Sequence, residues 1–98
     1  MTQRESKLSR DIQIAIRAKG AWCVKVHGSE YMPAGTPDIL GCYQGKFFGF
    51  ETKLPEKRSN TSIVQERTLQ KIRMSGGAAH VVCTVSEALK ILSSLSEE

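Results

Sequence analysis

No run of apolar residues in this chain approaches the roughly 20 needed to cross a bilayer. Residues Met1 to Lys7 carry no apolar core of the kind a secretory signal requires, so a cytoplasmic location is expected. Cysteine is scarce: Cys23, Cys42 and Cys83 are odd in number and far apart, with no Cys-x-x-Cys pair and no histidine at zinc spacing. That excludes a disulfide framework and a structural zinc site. All three fall in apolar stretches and are expected to be buried, reduced thiols. There is no internal repeat and no low-complexity tract. With 98 residues, the chain reads as one domain over 1–98, with room for one sheet and a few helices.

Charge is present but unevenly placed. The net charge is +4; residues 1–73 hold 13 Lys/Arg against 7 Asp/Glu, whereas residues 74–98 hold one Lys and three Glu. A basic body suits a polyanionic partner, because neutralising nucleic-acid phosphates releases counterions.

Helical spacing of Leu8, Ile12, Ala15 and Ile16 predicts a first helix over about 5–18, stopped by Gly20. Glu5 falls on the inward stripe of that helix, an unusual place for a carboxylate, although the helix dipole favours an acid in a first turn. A strand follows over 21–26, with Trp22, Val24 and Val26 in alternation, and then a Gly- and Pro-rich loop over 28–36. Two strands, 38–43 and 46–53, flank Gln44-Gly45, a two-residue hairpin turn. Beyond a basic loop, Ser62-x-x-Gln65 forms a capping box for a second helix reaching Met74. A β-branched strand over 79–85 and a last helix from Ser86 complete an α-β-β-β-α-β-α order, an α/β fold with a mixed sheet flanked by helices.

The hairpin locates the chemistry by counting. With Gln44-Gly45 at its tip, opposed residue numbers sum to 89, and Asp38 faces Glu51. Opposed Cβ atoms lie about 4.5–5.5 Å apart, and alternation puts Lys53 on the same face. Two carboxylates about 5 Å apart repel by roughly 3 kcal/mol at an effective dielectric of 20. A solvated ladder in which Lys53 neutralises Glu51 would relieve this. A shared divalent cation would do so more simply, since Mg²⁺ takes a few carboxylate oxygens and keeps exchangeable waters. Ile39, Phe48 and Phe50 fill the opposite face, so the hairpin is central, and a central strand has little reason to carry bare acids.

Gly35-Thr36-Pro37-Asp38, then Glu51-Thr52-Lys53 thirteen residues after the aspartate, then a helix bearing Gln65: this pattern resembles the PD-(D/E)xK nuclease superfamily, and within it the virus-type replication-repair nuclease (VRR-NUC) domain. The resemblance implies a restriction-endonuclease-like core and metal-dependent hydrolysis of DNA leaving a 5′-phosphate. It implies Mg²⁺ as cofactor, with Mn²⁺ able to substitute, and no small-molecule cofactor. Asp38, Glu51 and the Thr52 backbone carbonyl would hold the metal. Lys53 would orient or help deprotonate the attacking water, or steady the phosphate. Glu5 matches the acid that such nucleases often carry on the first helix, and Gln65 the polar residue of the second core helix, where its capping role is an equal account. Stand-alone members resemble Holliday-junction resolvases, which implies a homodimer cutting branched DNA, in a bacterial or virus-infected cell.

Around this centre, Lys57 and Arg58 are placed to reach a backbone phosphate, Lys25 and His27, which share one face of the first strand, are further candidate DNA contacts, and Tyr31 and Met32 stand in the loop where they could stack on DNA. A lone histidine is more often structural, and this applies still more to His80. Tyr43, Phe47, Phe48 and Phe50 exceed what one small core needs, so part of this cluster can form an interface. Two other readings remain open from the residues alone: a flap-type, linear-DNA or restriction-like nuclease, and a catalytically silent DNA-binding module of the same fold.

Overall fold

The computed structural model describes residues 2–96. In chain order it comprises α1 (Gln3–Ala18), β1 (Trp22–Lys25), β2 (Ile39–Tyr43), β3 (Lys46–Thr52), a 3₁₀ turn (Pro55–Lys57), α2 (Ile63–Met74), β4 (Ala78–Val82) and α3 (Val85–Leu95). The order is the expected one. The strands lie in the sequence order β1-β2-β3-β4, antiparallel except for the parallel β3–β4 pair. Helix α2 supplies the crossover that a parallel pair needs.

The hairpin has the anticipated register: Tyr43 pairs with Lys46 and Ile39 with Phe50. Gln44 and Gly45 both have positive φ, 50° and 80°, the combination that the primed hairpin turns use to match strand twist. Along β3 the side chains divide the molecule. Phe48 and Phe50, stacked with ring centroids 4.7 Å apart, join Ile12, Ile16, Ile39 and Leu92 in the core under α1 and α3. Gly49, between them, faces the other way, where a Cβ would lie 3.1 Å from Pro37 and 3.3 Å from Ile72 of α2. Glu51 is in phase with Gly49 and therefore shares the α2 face.

One expectation needs correction. Cys23 and Cys83 are buried, but Cys42 is exposed; in β2 it is out of phase with Ile39 and Gly41, the inward pair. In β1 the buried residue is Cys23, while Trp22 and Val24 are 64% and 38% exposed. Alternation identifies two faces without saying which one is covered, and α2 packs against β3 and β4 rather than β1. Trp22, Cys42 and Phe47 are successive cross-strand partners and form an exposed row on the α2 side of the sheet. Gly41 is tightly enclosed: a Cβ there would lie 2.3 Å from the Trp22 carbonyl oxygen and 2.4 Å from the Phe48 ring, so only glycine fits.

Candidate active site

The centre lies where the β2–β3 ladder ends. Continuing the register, Thr52 would oppose Pro37, which has no N–H to exchange. The Thr52 amide donates to Asp38 Oδ1 at 2.6 Å. On the other side, the Asp38 carbonyl accepts the Val26 N–H at 2.7 Å. Pro37 and Asp38 thus end the ladder in two ways: the proline has no N–H to give the Thr52 carbonyl, and the aspartate side chain accepts from the Thr52 amide. Both Asp38 and Glu51 are buried, at 8% and 6% exposure.

Three further groups converge on these acids. Lys25 Nζ donates to Asp38 Oδ2 at 3.1 Å. This lysine, a candidate DNA contact from sequence, also meets the acid pair. Gln65 both caps α2 and contacts Glu51. Its Oε1 accepts the Ser62 N–H at 3.0 Å while the Ser62 hydroxyl accepts the Gln65 N–H at 3.1 Å, a complete capping box. Its Nε2 donates to Glu51 Oε1 at 3.3 Å. Because the cap fixes the amide oxygen, the NH₂ end must face the carboxylate. Lys53 is half-buried, its amide donating to the Val82 carbonyl at 3.1 Å.

The electrostatics at Glu51 summarise the arrangement. Burial first, and then the Asp38 carboxylate, push its pKa up from 4.5 to about 7; Lys53 and Lys25 work against the shift, and Glu5 adds slightly to it. Glu5, half-buried at the start of α1, is therefore near enough for its charge to register at this centre. It begins the stripe continued by Ser9, Ile12 and Ile16.

Beside Asp38 opens a cleft of about 490 Å³ between the start of α1 and the 26–36 loop, lined in part by Ser6, Lys25, His27, Met32 and Pro33. Tyr31 is 87% exposed and does not line it. Lys57 is exposed on the turn after β3. Arg58 is held by Glu87 of α3, whose other carboxylate oxygen accepts the Cys83 N–H at 2.8 Å. On the same turn Glu56 pairs with Arg4 of α1 at 2.6 Å. Glu87 was missed from sequence; a glutamate three residues after Thr84 is a capping signal that would have found its helix, but not its arginine. His80 is half-buried in β4, where burial and then Arg73 lower its pKa, the behaviour of a packed imidazole. Burial raises the thiol pKa values of Cys23 and Cys83, which keeps them protonated and unreactive.

Among the described residues no three His, Cys, Asp or Glu side chains gather closely enough to form a metal cage. A tetrahedral zinc site is not what this donor set offers. Two buried carboxylates that repel each other, on a face open to a cleft, fit a hard cation that retains most of its waters. The Thr52 hydroxyl lies on the opposite, core-facing side and is buried without a partner.

A solved structure of a VRR-NUC domain superposes on this chain with a TM-score of 0.71 and 23% sequence identity, covering 94% of this chain and 97% of the other. The chain thus has the VRR-NUC fold across nearly its whole length. No protein-family model matches the sequence, and no curated protein matches it. Among the described residues no helix is long and apolar enough to cross a membrane.

Proposed function

We propose that this chain is a divalent-metal-dependent endonuclease that hydrolyses phosphodiester bonds in DNA. The observation that carries this reading is the buried Asp38–Glu51 pair, in which burial first and then the Asp38 charge raise the Glu51 pKa to about 7, on a fold shared with a VRR-NUC domain. Asp38, Glu51 and the Thr52 carbonyl would hold Mg²⁺, or Mn²⁺ in its place. The bound ion supplies Lewis acidity toward a phosphoryl oxygen and a lowered pKa for its water.

The protein's own groups do the positioning. Thr52 N–H and Lys25 fix the two oxygens of Asp38, and Gln65 fixes Glu51. Lys53, in phase with Glu51 along the strand, orients the attacking water or steadies the phosphate. Glu5 adds negative charge that favours the cation. Lys57, His27 and Tyr31 are exposed around the centre and serve backbone contact. Arg58, committed to Glu87, contributes to that surface only through its residual exposure.

The substrate we propose is branched DNA of the four-way-junction type. Among the described residues there is no zinc finger or recognition helix-turn-helix with which to read bases, so shape and backbone decide selectivity. Cutting a junction symmetrically requires a two-fold pair of sites. The exposed Trp22–Cys42–Phe47 row gives a homodimer an apolar surface of the kind found at interface centres.

Incubation with four-way, flapped and linear duplexes, in Mg²⁺ and in chelator, tests the proposal. Junction cleavage that chelator abolishes, and that Lys53→Ala slows at least 100-fold with DNA affinity within about threefold, is the expected result. Preferential cutting of linear duplex would remove the junction reading. Binding without cutting in both Mg²⁺ and Mn²⁺ would identify a silent DNA-binding module.

A further inference from the structure

We propose that the cleft beside Asp38 is a seat for a single unpaired nucleotide of the DNA strand being cut, so that the enzyme selects substrates with a base free to leave the stack. The inference rests on the nuclease reading and specifies what that site takes.

Three observations carry it. The first is size and place. At about 490 Å³, the cleft falls within the roughly 300–1,000 Å³ of pockets that enclose small organic ligands. Asp38 belongs to its lining, so a phosphate at the acid pair puts the adjoining nucleotide at its mouth. A duplex backbone runs over convex or gently curved surface; a concavity of this size beside the reacting phosphate admits a base only after it has been extruded.

The second is the chemistry of the walls. Val26, Met32 and Pro33 offer apolar surface against which a base face can pack, and Ser6 and Ser29 offer hydroxyls for a base edge. Lys25, which donates to Asp38, and His27 line the cleft as well and offer N–H groups to a phosphate. A base can thus be accepted without being read, and selectivity falls on whether it is paired. Extrusion is costly from an intact duplex and costs least where the base is already unpaired.

The third is that the wall is preformed. Turn hydrogen bonds from Met32 N to Ser29 O at 3.2 Å and from Thr36 N to Pro33 O at 3.3 Å brace the loop, as does Thr36 Oγ1 to Pro33 O at 2.7 Å. Gly35, at φ +84°, presses its backbone against α2 so closely that a Cβ would lie 2.7 Å from the Val64 carbonyl oxygen. The loop is therefore pinned to the helix that also supplies Gln65.

The test uses a branched duplex with one unpaired 2-aminopurine next to the branch, titrated with the whole chain in Ca²⁺. A second arm compares Mg²⁺-dependent cutting of branched DNA bearing either a base or an abasic linker beside the mapped cut. The proposal predicts a saturable fluorescence change that Ala34→Trp, which fills the cleft from its exposed rim, weakens at least tenfold. Met32→Ala, a milder change, should weaken it about threefold. Cutting of the abasic strand should fall at least fivefold. If both variants bind the probe as the parent does, or if abasic and base-bearing strands are cut alike, the cleft is not a nucleotide seat, although a cutting enzyme would still satisfy the nuclease reading. Probe binding that depends on the cleft in a chain that cuts nothing would have the opposite meaning.

Discussion

Glu51→Gln is expected to abolish metal-dependent cutting while making the metal-free protein more stable above pH 7. Mutations at most buried polar sites cost stability, so the paired outcome is diagnostic. In the parent, Glu51 is 6% exposed, and burial and Asp38 both oppose its charge. A neutral amide of nearly the same shape removes that penalty and can still meet Gln65. The gain above pH 7 should be on the order of 2–3 kcal/mol, the size implied by moving a carboxyl from 4.5 to about 7. Activity should fall at least 1,000-fold, because an amide is a poor ligand for a hard divalent cation. Denaturant unfolding at pH 8 with chelator, alongside a cleavage assay, measures both. A stable variant that cuts normally would mean that Glu51 does not hold the metal. An inactive variant that is less stable would mean that the carboxylate is an ordinary structural group.

The second large effect is on the pH dependence of stability without metal. A carboxyl whose folded-state pKa exceeds its unfolded value holds its proton more tightly when folded. The stabilisation from Glu51 is therefore complete below about pH 4.5 and is lost as the pH rises through about 7. His80 works in the opposite sense over part of this range: its lowered pKa adds stability as the pH rises toward 6.5. The difference between the parent and Glu51→Gln isolates the acid. Parent stability relative to the variant should fall by about 3 kcal/mol between pH 4.5 and pH 8. Millimolar Mg²⁺ at pH 8 should restore the parent and leave the variant unchanged, since an ion that binds only the folded state stabilises by mass action. Parallel pH profiles for the two proteins would show that the acids do not strain the fold.

Why some of this was legible in advance is a matter of which interactions are local. A two-residue turn fixes a hairpin's register, so Gln44-Gly45 sufficed to oppose Asp38 and Glu51. The capping box at Ser62 and Gln65 is equally local, although its second use against Glu51 depends on how α2 lies over β3. The parallel β3–β4 pairing, the salt bridges that tie the turn after β3 to α1 and α3, and the cleft wall are all non-local. The wall depends on Gly35 meeting Val64, 29 residues away, which no spacing rule foretells. That Lys25 meets an aspartate 13 residues on was not legible either, because a lysine on a strand says nothing of its partner. Cys42 was misjudged because an apolar side chain in a strand is an argument for burial only when something covers that face.

The central claim is that Asp38 and Glu51 share one cation. Crystals of the protein grown with Mn²⁺ and measured at a wavelength where manganese scatters anomalously test it most directly. A single dominant anomalous peak within coordination distance of both carboxylates, absent from Asp38→Asn crystals grown alike, is what the account predicts. Manganese bound elsewhere with this pair bare, or an undiminished peak in the variant, would contradict it.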